Sequence, residues 1–276
     1  MPRESVKLCL LGHPVAHSLS ARLMAGLGRL TRRKVLYRAC DVPPQRLACA
    51  VELLRWSGIL GCNVTVPHKV AIVPLLDGLT PEARLAGAVN AVRCSQGRLL
   101  GHNTDSAGFA DALRESGFAV AGRDALVFGA GGAARAVLCT LGRLRARRVT
   151  IAARRPEAAR TLARAMAASF PGTVFSAGRP AAVDLAVNAT PLGLPGFPDR
   201  SPAAPDWRGC GLALDLVYGR STAFQRQARR LGARVLGGSG MLVSQALRSW
   251  EFWFGPLGAP RRLALKSRLL ERLPCP

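Results

Sequence analysis

The amino-acid sequence predicts an α/β fold with two domains. Along most of the chain, short hydrophobic runs with the pattern of strands alternate with longer segments of helical periodicity. A glycine-rich turn at residues 129–134 joins one of these runs directly to a helical segment. A chain of 276 residues, 49% of them hydrophobic, is long enough to bury two cores of ordinary size.

Residues 1 to about 105 carry the first set of alternating segments. Strand-like runs cover residues 6–11, 35–40 and 61–66. Helical segments are predicted at residues 20–29, at residues 44–57 and from about His68. Alternation of this kind predicts an α/β domain in which each strand ends in a polar loop.

The alternation is more regular from residue 124 onward. Strands are predicted at residues 125–128, 148–153, 183–189, 211–218 and 233–236. Helices are predicted at residues 132–144 and 156–168, the second with Pro156 in its first turn. This order predicts a doubly wound parallel sheet of the Rossmann type.

The C-terminal part is predicted to be helical and to belong with the first domain. Residues 241–254 place Leu242, Ala246, Trp250 and Trp253 on one helical stripe. The parallel sheet does not need this helix, so we expect it to pack on the first domain. The predicted domains are therefore residues 1–106 with 239–276, and residues 107–238.

Composition excludes several classes of protein. No run approaches the ~20 apolar residues of a membrane helix, and the N-terminal apolar stretch is too short for a secretory signal. We therefore expect a cytoplasmic protein without a membrane partner. The eight cysteines show no metal-binding spacing, and Gly12 and Pro14 argue against a helix that would align His13 with His17. No metal site is predicted.

The formal net charge of +23 suggests nucleic-acid binding at first sight. Of the 39 basic residues, however, only four are lysine, and alanine is abundant, which indicates a coding bias toward arginine. The arginines are spread along the chain without a long basic run or interleaved aromatic residues. We interpret them as a solvated surface and expect no specific nucleic-acid partner.

The glycine-rich turn has the pattern of a dinucleotide-binding loop. Its residues are Gly129, Ala130, Gly131, Gly132, Ala133 and Ala134. The first glycine of such a loop permits a tight turn, the next lets the backbone approach a pyrophosphate, and the final small residue allows close packing of the helix. The amides at the helix N-terminus then face the phosphates.

The end of the following strand indicates which dinucleotide is bound. Enzymes that use NAD place an acidic residue there to bind the ribose hydroxyls. In this chain the strand runs into Arg154 and Arg155, with no acid before Glu157. Two guanidinium groups suit the 2′-phosphate of NADP, and NADP is therefore the predicted cofactor.

Three polar clusters in the first domain complete the pattern. They are Gly12–Ser20, Asn63–Lys69 and Gly101–Asp105. Each has a simple structural interpretation: Ser20 could cap a helix, and Asn103 to Asp105 could form an Asx turn. Together with four further segments, however, their order resembles that of the shikimate dehydrogenases. Those segments are residues 87–90, 188–191, 215–218 and 240–245.

The resemblance covers the chain from Gly12 to Gly255 and implies a function. Members of that family reduce 3-dehydroshikimate reversibly to shikimate with NADPH, in aromatic amino-acid biosynthesis. Carried over by position, Lys69 and Asp105 would be the catalytic residues, with Lys69 as proton donor and acceptor. Ser18 and Ser20 would bind the substrate carboxylate.

The resemblance also implies further contacts. Thr65, Asn90, Asp105 and Gln245 would bind the substrate hydroxyls, and Tyr218 would lie near both substrate and nicotinamide. Additional cofactor contacts are expected at Thr190, Leu216 and Gly238.

Two other functions remain open at this stage. A quinate dehydrogenase or a dual quinate/shikimate dehydrogenase would share the fold and the lysine. A protein of another class, without catalysis, could retain NADP binding or associate with polyanions through its charge. The sequence leaves open whether the chain is a monomer or a homodimer.

Overall fold

The computed structural model describes residues 5–180, 182–202 and 209–273. Cys275 and both ends of the predicted first domain lie outside these ranges. The chain divides into two compact units, and each is described by itself. Unit 1 comprises Met1–Ala107 and Val243–Arg272, and unit 2 comprises Gly108–Leu242 and Leu273–Pro276. The chain passes from unit 1 to unit 2 after Ala107 and returns to unit 1 after Leu242. The boundaries suggested by the sequence were after residues 106 and 238.

The N-terminal part of the chain alternates between strands and helices as predicted. Its elements are β1 (Val6–Gly12), α1 (Ser20–Leu30), β2 (Val35–Asp41), α2 (Leu47–Trp56), β3 (Gly61–Val64), α3 (His68–Ala71), β4 (Gly78–Leu79), α4 (Pro81–Ala86), β5 (Ala91–Ser95), β6 (Arg98–His102) and α5 (Asp105–Ser116). The six strands form one sheet in the order β2-β1-β3-β5-β6-β4.

This first sheet is mixed in direction. Strands β1, β2 and β3 are parallel, whereas β5 is antiparallel to both β3 and β6. The core on one face is built from buried apolar side chains such as Leu11, Val64 and Val92. The antiparallel β5–β6 hairpin brings residues 90 and 103–105, at its two open ends, next to the loop that follows β3.

The remaining elements include those of a second, fully parallel sheet. They are β7 (Asp124–Phe128), α6 (Gly132–Arg143), β8 (Arg148–Ala152), α7 (Pro156–Ser169), β9 (Val174–Ala177), β10 (Leu185–Asn188), β11 (Leu212–Asp215), α8 (Ala223–Arg230), β12 (Arg234–Leu236), α9 (Ser239–Phe254) and α10 (Ala259–Leu270). The strand order β12-β11-β10-β7-β8-β9 reverses between β7 and β10, as in a doubly wound fold. The predicted Rossmann-type architecture is confirmed.

From Val243 onward, α9 and α10 pack within unit 1. Trp253 Nε1 donates a hydrogen bond to the carbonyl of Val92 in β5 (2.9 Å). Trp250 and Ala246 are buried as the helical stripe predicted, while Leu242 is only half-buried. Bulky aromatic side chains on this helix thus fill unit 1 against its sheet.

Several local predictions need correction. Residues 44–57 begin with a 3₁₀ turn at Pro44–Arg46 before α2, because Pro44 sets the first turn. The helix predicted from about His68 does begin at that residue, and it ends at Ala71. The β5–β6 hairpin, whose two strands enclose the short turn around Gly97, has no counterpart among the predicted elements. No helix within the described ranges combines the length and the apolar character needed to cross a membrane.

Candidate functional site

The loop after β3 holds Lys69 in place through its backbone. The amide of His68 donates to the carbonyl of Thr65 (2.8 Å), and the amide of Val89 donates to the carbonyl of Lys69 (2.8 Å). The His68 ring is buried, with Nε2 lying 2.6 Å from the carbonyl oxygen of Val42. The position of the lysine backbone is therefore set by three separate contacts.

Lys69 and Asp105 form a short ion pair. Lys69 Nζ donates to Asp105 Oδ2 at 2.6 Å, and the two side chains are only 15% and 5% exposed. Asp105 is the first residue of α5, where the helix dipole favours a negative charge. An ion pair as little exposed as this is maintained only when its remaining hydrogen-bonding groups are also paired.

Asn90 supplies those additional hydrogen bonds. Its Nδ2 lies 2.8 Å from Asp105 Oδ1, 2.8 Å from Thr104 Oγ1 and 3.3 Å from Gln245 Oε1. Its Oδ1 accepts from the amide of Thr104 (2.7 Å). The structure therefore brings four of the predicted site residues, Lys69, Asn90, Asp105 and Gln245, into one cluster.

Four residues of this network were not among the predicted site residues. Asn63 Nδ2 donates to the carbonyl of Asn90 (3.1 Å) and to Ser249 Oγ (3.0 Å). The Oδ1 of the same residue accepts a hydrogen bond from the Tyr37 hydroxyl (2.9 Å). Ser249 Oγ lies 3.1 Å from Thr104 Oγ1. Asn63 and Thr104 stand inside the predicted polar clusters, whereas no local pattern marks Tyr37 or Ser249.

Ser18 and Ser20 are half-buried and lie near the same network. Ser18 Oγ accepts from the amide of Ser20 (3.2 Å), and Ser20 is the first residue of α1 rather than its cap. Burial raises the pKa of Tyr37 above its ordinary value, while a hydrogen bond with Ser20 opposes that rise. Thr65, also half-buried, precedes Lys69 by four residues.

The loop after β7 has the geometry that a dinucleotide requires. Gly129 adopts φ +114°, and a Cβ there would lie 2.9 Å from the carbonyl oxygen of Ala189. A Cβ on Gly131 would meet no atom of the described residues within 4 Å, which leaves space beside the backbone. Ala134 is fully buried against the sheet, as a close approach of α6 demands.

Arg154 and Arg155 follow β8 after one intervening residue, Ala153. The two strands are paired so that Phe128 of β7 lies opposite Ala152 of β8, which places the arginines beside the Gly129 turn. Both side chains are exposed, and within the described ranges neither makes an ion pair or a hydrogen bond. Two unpaired guanidinium groups are available there for an anion.

The other predicted cofactor residues lie at the carboxyl edge of the same sheet. Thr190 follows β10, and its methyl carbon would lie 3.5 Å from a Cβ on Gly129. Gly238 follows β12, and a Cβ there would lie 2.3 Å from the carbonyl oxygen of Leu216. Tyr218 is half-buried in the loop after β11. Unit 2 therefore gathers these side chains on the edge where doubly wound folds bind ligands.

Among the described residues, no group of three or more histidine, cysteine, aspartate or glutamate side chains is arranged to hold a metal ion. His102, three residues before Asp105, instead pairs its Nδ1 with Thr80 Oγ1 (2.8 Å). Burial lowers the pKa of His102 from its ordinary value, and nearby Glu82 opposes that change.

Comparison with known proteins identifies relatives over most of the length of the chain. Residues 10–92 match the family described as the shikimate dehydrogenase substrate binding domain. Shikimate dehydrogenase (NADP(+)) of Symbiobacterium thermophilum is 40% identical, with 94% of each chain covered. The enzyme of the same name from Salinibacter ruber is 44% identical over 88% of this chain and 90% of its own.

Solved structures show the same relationship. Shikimate 5-dehydrogenase from Thermus thermophilus, crystallised with NADP(H) and shikimate, superposes with a TM-score of 0.82 at 36% identity. The match covers 97% of this chain and 99% of that one. Sequence and fold agree over both units, and the chain belongs to the shikimate dehydrogenase family.

Proposed function

We propose that this protein is an NADP-dependent shikimate dehydrogenase that reduces 3-dehydroshikimate to shikimate reversibly. The observation that carries the proposal is the 2.6 Å pair of Lys69 Nζ and Asp105 Oδ2 beside Asn90. It places a group that can transfer a proton among side chains that bind hydroxyl groups. The relatives' shared name identifies the reaction in which such a site is used.

In this mechanism Lys69 donates the proton, and Asp105 orients the Lys69 amine. NADPH, when bound, supplies the hydride to the carbonyl carbon of the substrate. The carbonyl oxygen must then gain a proton, and the Lys69 ammonium is a donor at that oxygen. In the reverse direction the lysine amine takes the proton from the hydroxyl. Asp105 accepts a hydrogen bond from Lys69 Nζ on Oδ2, while its Oδ1 accepts one from Asn90 Nδ2.

Polar side chains of unit 1 bind the rest of the substrate. Ser18 and Ser20 donate hydroxyl hydrogens to its carboxylate, and Thr65, Asn90, Asp105 and Gln245 bind its hydroxyls. Rigid support for this role comes from the buried bonds that join Asn63, Ser249 and Thr104 behind Asn90. A site supported in this way retains its geometry when the substrate arrives.

Unit 2 fits NADP. The residues from Gly129 to Ala134 hold the pyrophosphate through open backbone amides, since no atom fills the space beside Gly131. The 2′-phosphate is bound by the exposed guanidinium groups of Arg154 and Arg155. Thr190, Leu216, Tyr218 and Gly238 line the other half of the cofactor. The substrate and cofactor domains are accordingly units 1 and 2.

Two alternatives are less well supported. Quinate oxidation would use the same lysine, but the relatives reported above are named for shikimate and NADP, and the unpaired Arg154 and Arg155 favour NADP over NAD. Binding of a polyanion without catalysis leaves the buried Lys69–Asp105 pair unexplained. We retain the cytoplasm as the expected location, with a small-molecule substrate as the partner.

A turnover assay tests the function directly. Purified protein is mixed with shikimate or quinate, in the presence of NADP⁺ or NAD⁺, and reduced nicotinamide is followed by its absorbance. We expect the highest kcat/KM for shikimate with NADP⁺. Absence of turnover with this pair in folded protein would rule out the proposed function, and a higher kcat/KM for quinate would establish the first alternative.

A further inference from the structure

A buried carboxyl group lies at the carboxyl end of β11. Asp215 is the last residue of that strand and lies opposite Asn188, the last residue of β10, in the parallel register. Both residues are 0% exposed. Asp215 belongs to neither the catalytic cluster nor the predicted cofactor contacts.

Four donors converge on the two oxygens of this carboxyl group. Oδ1 accepts from Asn188 Nδ2 (2.9 Å) and from the amide of Val217 (3.1 Å). Oδ2 accepts from the hydroxyl of Thr222 and from Gln225 Nε2 (3.2 Å). A carboxylate has acceptor capacity on both oxygens, which matches this arrangement of donors.

The bonds on Oδ1 reach two loops at the carboxyl edge of the sheet. The loop after β10 is reached through Asn188, whose Oδ1 accepts both the amide (3.1 Å) and the hydroxyl (2.6 Å) of Thr190. The loop after β11 is held directly at Val217. The carbonyl of Val217 in turn accepts from the amide of Gly238, after β12 (2.9 Å). One carboxyl group therefore connects three loops.

These loops lie on one side of the point where the strand order reverses. A dinucleotide bound to a doubly wound sheet spans that point. Arg154 and Arg155, after β8, lie on the side that binds the adenosine half. Strands β10, β11 and β12 lie on the other side, next to β7, and their loops face the nicotinamide half.

We propose that Asp215 is a positioning residue that holds the nicotinamide-side loops in their binding geometry through its Oδ1 oxygen. The inference rests on the proposed function in taking Thr190, Leu216, Tyr218 and Gly238 as cofactor contacts. Asp215 itself touches none of the reacting atoms and acts through Asn188 and Val217.

A role in folding alone would not explain why position 215 carries a carboxyl group. Burial raises the pKa of Asp215, and hydrogen bonds from Thr222, Val217, Gln225 and Asn188 oppose that rise. An ionisable group without exposure is costly to bury, and an apolar side chain of similar size would avoid that cost. A positioning role explains the carboxyl group, because an apolar side chain could hold neither Asn188 nor the amide of Val217.

The test compares two substitutions at Asp215 with one at Asp184, which lies just before β10 at the opposite edge of the sheet. Asp184 Oδ2 accepts from the amide of Asp124 (2.9 Å), far from the three loops. Asp215→Asn retains an oxygen for Asn188 and Val217, whereas Asp215→Leu retains none. Asp184→Leu serves as the control for loss of a structural carboxylate.

Binding of NADP⁺ and of 2′,5′-ADP, which carries only the adenosine half, is measured by titration for each variant, together with kcat for shikimate. We expect Asp215→Leu to weaken NADP⁺ binding by about tenfold, the equivalent of one hydrogen bond, and to lower kcat, while 2′,5′-ADP binding is unchanged. Asp215→Asn should recover most of the loss, and Asp184→Leu should affect neither ligand.

Equal NADP⁺ affinity and equal kcat in Asp215→Leu and Asp184→Leu would overturn the proposal. If Asp215→Leu does not fold, Asn188→Ala cuts the link from the carboxyl group to Thr190 and must weaken NADP⁺ binding without affecting 2′,5′-ADP; unchanged NADP⁺ binding would again overturn it. Lack of shikimate turnover in the unsubstituted protein would disprove the proposed function instead, and the titrations would still decide the role of Asp215.

Discussion

Lys69 is one of four lysines in a chain that carries 35 arginines. An arginine at this position could pair with Asp105 equally well, but a guanidinium group does not give up its proton near neutral pH. The need for a group that can release a proton therefore explains a lysine at this position. Its ion pair with Asp105 gives the amine a defined direction. At the scale of single residues, we propose that proton transfer depends on this one amine.

Replacement of Lys69 tests that role. Lys69→Met removes the amine and retains most of the aliphatic stem, so we expect kcat for shikimate to fall by about 10²–10⁴-fold, with a smaller change in KM. Lys7→Met, at an exposed position in β1, is the matched control and should retain full kcat. A kcat for Lys69→Met equal to that of the control would exclude Lys69 as the proton donor.

Burial of the His102 ring predicts how the stability of the fold changes with pH. Its pKa is lowered by burial in the folded state, so the unfolded chain binds the proton more readily. The contribution of the neutral ring to stability is complete above the unfolded pKa of about 6.5 and is lost as the pH falls through the lower folded value. The ring also contacts the ring of Phe252, with 4.7 Å between centroids.

We therefore expect the free energy of unfolding to fall between pH 7 and pH 5, and to fall less in His102→Gln, which retains a hydrogen-bonding group toward Thr80. Urea unfolding at several pH values measures both slopes. His17→Gln, at an exposed position, controls for the loss of a histidine. The same slope in all three proteins would contradict the assignment to His102.

At the scale of elements, we propose that the preference for NADP depends on where one strand ends. β8 stops at Ala152, and the next residues are a half-buried alanine and two exposed arginines. The parallel pairing of β7 with β8 places Arg154 and Arg155 beside the glycine-rich turn. Neither arginine needs a side-chain partner for its own position, because the backbone of β8 and α7 sets it.

Removing both guanidinium groups tests this arrangement. Arg154→Ala combined with Arg155→Ala should weaken NADP⁺ binding by about 10- to 100-fold and leave NAD⁺ binding nearly unchanged, since charge-assisted bonds to the 2′-phosphate are lost. Arg143→Ala combined with Arg148→Ala removes the same charge at the opposite edge of the sheet and is the control. Equal loss of both cofactors in the first variant would refute the phosphate contact.

At the scale of the whole molecule, the two units have separate sheets and cores. The cluster around Lys69 and Asp105 lies within unit 1, and the glycine-rich turn, the arginines and the Asp215 network lie within unit 2. Each ligand is therefore expected to stabilise the unit that binds it.

Hydrogen exchange resolved along the sequence can test this division. NADP⁺ alone, at about 100 times its Kd, should slow amide exchange in β7 and β10. The free energy of the opening that permits exchange there should rise by up to about 2.7 kcal/mol. Shikimate alone should protect β3 and β5 instead. Protection of β7 and β10 by shikimate alone, with β3 and β5 unaffected, would show that the units have been assigned the wrong ligands.

The sequence by itself determined the alternation of strands and helices and the glycine-rich turn between β7 and α6, and it indicated Lys69 as a candidate, because these depend on local periodicity and on residue types at fixed spacing. It did not reveal the β5–β6 hairpin, nor the links from Tyr37 and Ser249 to Asn63 or from Asp215 to Asn188. Those contacts join residues 26, 186 and 27 positions apart. Only the pairing of strands and the packing of α9 bring them within hydrogen-bonding distance, and no local pattern encodes a distance of that kind.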